Sequence, residues 1–252
     1  MAPLISVIIP IFNERQSLPE LLARVEAVDL DKEIILVDDG STDGTRELLD
    51  GYRQRAGYRV VLQPKNQGKG AALREGFRHA TGKIVIIQDA DLEYNPAEYP
   101  RLIQPILEDL ADVVYGSRFA GYPRRVLYFW HSVANKFLTL VSNMLTGINL
   151  TDMETCYKVF RREIIQQMPL KSQRFGFEPE VTVKVARAGY RIYEVPISYA
   201  GRTYAEGKKI GWKDAFDALW TLFFFRFVDR AAIPRPALTM IVPAAAAEVD
   251  VR

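Results

Sequence analysis

Cysteine is nearly absent: Cys156 is the only one in 252 residues, which excludes an intramolecular disulfide and with it a disulfide-stapled miniprotein. Histidine is almost as scarce. His79 and His131 are the only two, neither has cysteines at zinc-ligand spacing, and no Gly-x-Ser-x-Gly elbow supplies a Ser-His-Asp nucleophile. Long apolar runs are missing too. The densest window, Ala218 to Phe225, is cut by Thr221 and stopped by Arg226, short of the ~18 uninterrupted apolar residues of a spanning helix. The first residues lack the basic-then-apolar pattern of a secretory signal, so a reducing, cytosolic setting is expected. Neither charge is in excess: 33 basic against 31 acidic residues leave +2, too little for a nucleic-acid binder that relies on bulk charge.

The composition is that of a globular chain, 48% hydrophobic and 25% charged, long enough for one or two domains. Its charges are segregated. Met1 to Asp112 carries 13 basic and 19 acidic residues, Val113 to Thr151 carries 4 basic and none acidic, and Asp152 to Arg252 carries 16 and 12. The acidic front half suits a cation site. The acid-free stretch, with Arg118, Arg124, Arg125 and Lys136, suits an anion or an anionic membrane surface.

Short aliphatic runs bounded by polar or turn residues read as buried strands at Leu4 to Ile9, Glu33 to Val37, Arg59 to Leu62, Ile84 to Ile87 and Val113 to Tyr115. Helical patterns lie between them: Leu18, Leu21, Leu22 and Val25, then Ser41 to Tyr52, Ala71 to Ala80 and Pro96 to Leu107. This alternation predicts an α/β fold with a mostly parallel, doubly wound sheet flanked by helices. Past Tyr115 it lapses. Ser132 to Leu145 and Glu178 to Ala188 read as helices, Arg191 to Val195 as a strand, and Trp212 to Phe227 as an aromatic helix. From Ala231 the chain becomes rich in Pro and Ala and is expected to be loosely held. The expected division is a main unit over 1–210, the aromatic helix over 211–230 and a low-complexity tail over 231–252.

In doubly wound sheets, ligands bind beyond the carboxyl ends of the strands. Those ends carry Pro10, Phe12, Asn13 and Glu14, then Asp38, Asp39 and Gly40, then Asp89, Ala90 and Asp91, so acids from three strands are expected on one surface. Crowded carboxylates repel, and a cation, a raised pKa or hydrogen bonding relieves them. Asp89 and Asp91, one residue apart, can address one hard cation, Mg2+ or Mn2+, that also bridges a diphosphate; the plainer alternative makes Asp89 a loop cap before Pro96. Gly68-Lys69-Gly70 fails as a Walker loop, because Gly70 stands where Ser or Thr is needed and Gln63 where Gly is needed.

Pro10-Ile-Phe-Asn-Glu14, Val37-Asp-Asp-Gly-Ser-Thr-Asp-Gly-Thr45, Asn66-Gln-Gly-Lys-Gly70, Asp89-Ala-Asp-Leu92 and Gly116-Ser-Arg118 occur in that order, followed by Glu194-Val-Pro196 and Arg202-Thr-Tyr-Ala-Glu-Gly-Lys208. Together they resemble the inverting glycosyltransferases of family 2, most nearly the branch of dolichyl-phosphate mannose synthases and polyprenyl-phosphate glycosyltransferases. The resemblance implies a GT-A type, Rossmann-like fold and a hexosyltransferase activity of the dolichyl-phosphate mannosyltransferase kind. It also implies that Pro10, Phe12, Glu14, Val37 and Asp39 hold the base and ribose, while Asp89, Ala90 and Asp91 address ribose, metal and diphosphate. Phe12 stands where Tyr is frequent, keeping a ring to stack; Glu93, where some relatives carry Gln, offers a third oxygen donor for the metal, a plain surface acid being the alternative. Arg118, Arg202 and Lys208 match positions that meet phosphates, where they suit the negative charge growing on a departing diphosphate; surface salt bridging is their plainer use.

An acceptor hydroxyl needs a general base, whereas a lipid phosphate, with a second pKa near ~6, is already ionised at neutral pH and needs cations instead. Arg118, Arg124 and Arg125 beside Tyr122, Tyr128, Phe129 and Trp130 suit a phosphate head group at a membrane surface. The reading is therefore transfer of a hexose from a GDP-mannose or UDP-glucose type donor to a polyprenyl phosphate by a peripheral protein on the cytosolic membrane face. Two alternatives stand beside it. One is a hydroxyl acceptor in cell-envelope glycan or glycolipid synthesis, with Asp152, Glu178 and Glu180 as candidate bases. The other is a non-catalytic nucleotide-sugar-binding scaffold. Trp212, Phe216, Leu219, Trp220, Phe223, Phe224 and Phe227 fall on one helical face, which suits an interfacial amphipathic helix, a contact in a homo-oligomer or burial under the tail.

Overall fold

A run such as Ile5-Ser-Val-Ile-Ile-Pro-Ile11 has no polar face to offer water, so it settles as a strand covered on both sides, as parallel sheets require. The computed structural model, which describes residues 2–121, 125, 126, 128–201 and 212–235 with the side chains of 212–214 left aside, shows seven such strands. They are β1 (Ile5–Ile11), β2 (Lys32–Asp38), β3 (Tyr58–Leu62), β4 (Ile84–Ile87), β5 (Val113–Ser117), β6 (Lys158–Arg161) and β7 (Ile192–Pro196), in one sheet ordered β3-β2-β1-β4-β6-β5-β7. Only β6 runs antiparallel to its neighbours. It was not foreseen, because four residues, Lys158-Val-Phe-Arg161, carry too little pattern to stand out.

The helices are α1 (Leu18–Glu26), α2 (Thr45–Asp50), α3 (Lys69–His79), α4 (Tyr99–Leu107), α5 (Phe129–Thr146), α6 (Arg162–Gln167), α7 (Phe177–Ala188) and α8 (Trp212–Phe223), the last continued by a wider π-type turn over Phe224–Val228. Helix α3 lies so close to the sheet that a Cβ on Gly76 would collide with Ile8. Of the Ser41 to Tyr52 pattern only Thr45–Asp50 is helical. Its first residues instead form a turn on the Asp38 carboxylate, which accepts the N–H groups of Gly40 (3.1 Å) and Ser41 (3.2 Å).

Strand order reverses at β1, which pairs with β2 on one side and β4 on the other. The register places Ile11 beside Asp38 and Ile8 beside Ile87. The residues that follow β1, β2 and β4 therefore share one edge at the topological switch point, the place where such sheets bind ligands. Helices α5, α7 and α8 pack together beyond β5, burying Leu138, Val181, Leu222 and Phe225. Tyr190 donates its hydroxyl hydrogen to the Pro234 carbonyl at 2.9 Å, so the start of the Pro-rich tail is tied to the core; 236–252 lie outside the described residues.

Candidate functional site

The loops after β1 and β2 are sewn together by short polar side chains. Asn13, held in the left-handed region at φ 57°, donates its N–H to Ser41 Oγ (2.9 Å) and accepts the Thr42 N–H on Oδ1 (2.8 Å); the Glu14 N–H reaches Thr45 Oγ1 at 3.2 Å. Between them Phe12, 39% exposed, keeps ring surface open for stacking. Pro10 is half-buried, while the Val37 side chain is fully buried and leaves its backbone to meet a ligand. Asp38 is neutralised by Arg46 at 2.7 Å. Asp39 accepts the N–H groups of Gln67 and Gly68, both at 2.7 Å, and burial pushes its carboxyl up despite those bonds. The Asn66 to Gly70 motif is thus a backbone cradle for Asp39. Gly40 allows the fit: its φ is 79°, and a Cβ there would lie 2.5 Å from the Asn66 nitrogen.

At the end of β4 the buried Gln88 accepts the hydroxyls of Tyr99 and Tyr157, both at 2.7 Å, and donates to the Asp89 carbonyl at 2.9 Å, which sets the backbone of the next loop. Ala90 is buried, Asp91 accepts the Glu93 N–H at 3.2 Å, and Leu92 sits at φ 62°, a strained value for a branched side chain. The carboxylates turn to different partners. Lys69, the first residue of α3, bridges Asp89 and Glu178, both at 2.9 Å; Glu93 accepts the Tyr199 hydroxyl at 2.7 Å. Burial opposes the Lys69 charge, yet the acids around it hold its pKa well above the ordinary value. Burial pushes the neighbouring Cys156 thiol well up, so it is an unreactive part of this floor. Among the described residues no three acid, histidine or cysteine side chains form a complete metal cage. Asp89 is held by Lys69 and Asp91 accepts the Glu93 N–H, so the two acids that the sequence pairs as cation ligands face different partners.

Arg118, next to β5, grips the fully buried Asp152 with two parallel bonds of 2.7 Å and lies 5.1 Å from the centre of the Tyr199 ring. Burial works against its charge and Asp152 more than offsets this, raising the Arg118 pKa. Glu180, also fully buried, is bound by Lys184 at 2.5 Å and by the Lys171 and Ser172 N–H groups at 2.7 Å. Asp152, Glu178 and Glu180 are therefore each committed to a cation, which removes them as ready bases. Arg125 lines a cavity of about 530 Å³ with Arg24, Glu93, Tyr94, Ser198 and Tyr199. Arg124, Arg202 and Lys208 lie outside the described residues.

Lys158, which closes the Asp152 to Lys158 segment, is fully buried, donating to the carbonyls of Met153 (2.8 Å) and Thr155 (2.6 Å); burial lowers its pKa to about 8. Tyr199 and Gln88 carry no sequence signal, while Lys69 lies in the Asn66 to Gly70 motif, which fails as a Walker loop but is among those that carry the family resemblance.

The aromatic helix divides its faces differently from the expectation. Ala218, Leu222 and Phe225 are buried, Leu219 and Phe224 are half-buried, and Phe216, Trp220, Phe223 and Phe227 are exposed. A second stripe, Trp130, Val133, Phe137, Leu140 and Met144, runs exposed along α5 at alternating spacings of three and four. The two helices pack on each other, and Arg226 donates to the Leu145 carbonyl at 2.6 Å. No helix among the described residues is long and apolar enough to cross a membrane.

Comparison with known proteins agrees with this architecture. The chain is 36% identical over 211 residues to an undecaprenyl-phosphate 4-deoxy-4-formamido-L-arabinose transferase of Pseudomonas aeruginosa (strain LESB58), covering 81% of this chain and 60% of the relative. An enzyme of the same name from Aeromonas hydrophila subsp. hydrophila is 35% identical over 211 residues, covering 81% of this chain and 62% of that protein. The chain thus spans about 60% of the length of the curated relatives it matches. Glucosyl-3-phosphoglycerate synthase of Mycobacterium tuberculosis, solved with phosphoglyceric acid, superposes with a TM-score of 0.69 at 20% identity over 89% of this chain and 80% of that one. Its complex with Mn2+, uridine diphosphate and glucosyl-3-phosphoglycerate gives 0.66 at 22% identity, again covering 89% and 80%. The profile of Glycosyl transferase family 2 matches residues 6–168, most of the sheet with the motifs that follow β1, β2 and β4, and the chain belongs to that family.

Proposed function

We propose that the chain transfers a hexose from a nucleotide diphosphate sugar, of the UDP-glucose or GDP-mannose type, to a polyprenyl phosphate, with inversion at the anomeric carbon. The observation that carries this is the commitment of Asp152, Glu178 and Glu180 to Arg118, Lys69 and Lys184. A hydroxyl acceptor would need one of them as base; a phosphate, already ionised, needs none. The curated relatives named above, undecaprenyl-phosphate transferases, support the same acceptor class.

In this reading Phe12 stacks on the base, Pro10, Glu14, Val37 and Asp39 surround base and ribose, and Asp89, Ala90 and Asp91 face ribose and diphosphate. Asp89, Asp91 and Glu93 are the candidate oxygen ligands for Mg2+ or Mn2+, and the cation, when bound, supplies Lewis-acid stabilisation of the departing diphosphate. The acceptor phosphate attacks the anomeric carbon from the face opposite the diphosphate, and Arg118, Arg202 and Lys208 meet the charge that develops on the phosphates.

The exposed stripes of α5 and α8, with Trp130 75% and Trp220 69% exposed, are the surface proposed to lie on an anionic membrane at its cytosolic face. The functional division is then a catalytic unit over 1–210, a membrane-facing helix over 211–230 and a tail over 231–252; pairing of two chains through these stripes is the alternative use of the surface. A thermal-shift screen of UDP, UDP-glucose, GDP and GDP-mannose, each with and without Mn2+, tests the donor side. Ligand at ~100 times its dissociation constant should add about 2.7 kcal/mol. A metal-dependent shift with one nucleotide is expected, and no shift with any would contradict the reading.

A further inference from the structure

Asp152 holds the Arg118 guanidinium by one edge only. Its two oxygens take Nε and Nη2, each at 2.7 Å, so the Nη1 edge lies outside the grip. Two parallel bonds fix a planar group against sliding, yet the pair can still swing about the line that joins its partners. A neighbour pressed against the group stops that swing. The guanidinium lies over the Tyr199 ring, 5.1 Å from its centre, with the Phe119 ring further off at 5.9 Å.

The Tyr199 ring is itself braced on several sides. Its hydroxyl donates to Glu93 Oε2 at 2.7 Å, and the Tyr94 ring stands across it at 61° with centres 5.4 Å apart. Tyr94 is fixed in turn, its hydroxyl accepting the Cys156 N–H at 3.0 Å. The backbone adds two ties: the Tyr199 carbonyl accepts the Arg125 N–H at 2.9 Å, and the Ala200 N–H donates to the Glu93 carbonyl at 3.0 Å. Strand β7, whose register sets Pro196 beside Ser117, delivers the residue to this place. Tyr199 therefore joins the loop after β4 to the residue that follows β5, three positions before Arg202.

Resting on the reading of Arg118 as a phosphate-facing group, we propose that Tyr199 is a positioning residue for the transfer, its ring fixing the Arg118 guanidinium so that the edge Asp152 does not hold stays turned to the phosphates. Misplacement of a charged group matters most when charge grows on its target, so the role shows in turnover more than in donor binding. The ring carries it, and the hydroxyl only braces the ring.

The test is steady-state kinetics on the full chain with Mn2+, undecaprenyl phosphate and UDP-glucose or GDP-mannose, for wild type, Tyr199→Phe, Tyr199→Met, Arg118→Lys and the double substitution Tyr199→Met with Arg118→Lys. Methionine fills the space without a ring. Tyr199→Met should lower kcat about tenfold with little change in the donor KM, while the affinity of bare UDP or GDP in calorimetry stays at the wild-type value. Tyr199→Phe, which keeps the ring, should return kcat to within about twofold of wild type. In the Arg118→Lys background, where the planar group is gone, Tyr199→Met should cost less than about threefold more. Equal losses in the two backgrounds would overturn the proposal, because Tyr199 would then act independently of Arg118. So would a Tyr199→Phe loss as deep as that of Tyr199→Met, which would assign the effect to the Glu93 bond. If Arg118→Lys alone leaves kcat unchanged, it is the phosphate-facing reading of Arg118 that fails, and the role of Tyr199 with it.

Discussion

Asp89 and Asp91 follow β4 at the sheet edge, and the proposed metal site rests on them. Asp91→Asn keeps the shape but removes one anion, so metal-dependent binding of the nucleotide diphosphate is expected to disappear while the fold survives. Calorimetry with and without Mn2+ checks this, and retained metal-dependent affinity would count against the assignment. Arg202→Ala and Lys208→Ala are expected to lower turnover more than donor affinity, by ~2 to 4 kcal/mol of transition-state stabilisation each. A change confined to KM would mean that they bind the ground state. At this scale the exposed-edge residues were legible, because Phe12, Asp39 and Asp89 follow strands whose aliphatic runs are plain in the sequence. Gln88 and Tyr199 were not, since a polar side chain's place depends on neighbours brought from distant segments.

Among the elements, the junction of α7 with the turn after α8 is held by a buried charge cluster. Lys184 is fully buried, bound to Glu180 at 2.5 Å and to Asp229 at 3.2 Å. Breaking a buried pair by truncating one partner costs ~3 to 5 kcal/mol, so Glu180→Ala should lower Tm markedly. The loop it holds also touches α3 just after the backbone cradle of Asp39: the Ala71 N–H donates to the Gln173 carbonyl at 3.1 Å. Nucleotide affinity should therefore weaken along with stability, as thermal melts and calorimetry on the same variant would read. The starts of β5 and β7 are joined by Asp112 and Arg191 at 2.8 Å. Burial raises the Asp112 carboxyl, but hydrogen bonds from Arg191 outweigh it and hold the pKa below the ordinary value. This contribution to stability is present above the unfolded value of ~3.9 and is lost as pH falls through the lower folded value. Asp112→Asn should flatten the stability loss below about pH 4 in acid titrations followed by circular dichroism. Strands β1, β2 and β4 were readable from composition alone, whereas β6 was hidden because its pairing with β4 and β5 is a tertiary event that four residues do not announce.

At the scale of the whole molecule, the proposed reading gives the acidic sheet edge to a soluble donor and the two exposed apolar stripes to a lipid acceptor. If the stripes lie in an interface, burying each large apolar side chain contributes ~1.5 to 3 kcal/mol before ordering costs, and each nearby basic residue ~1 kcal/mol on anionic lipid. Cosedimentation with anionic vesicles should therefore be clear and salt-sensitive, and the double substitution Trp130→Ser and Trp220→Ser should release the protein while sparing hydrolysis of the sugar nucleotide in solution. Equal pelleting of the two proteins would assign the stripes to a subunit contact. The Trp212 to Phe227 periodicity was visible in the sequence, but which residues turn inward was not, because Ala218, Leu222 and Phe225 are chosen by the surfaces of α5 and α7. The central claim is tested most directly by incubating the protein with Mn2+, radiolabelled nucleotide sugar and either undecaprenyl phosphate or a panel of hydroxyl-bearing glycans and glycolipids. The expected result is metal-dependent label in a lipid-phosphate sugar that mild acid releases; label appearing in the hydroxyl acceptors alone would contradict it.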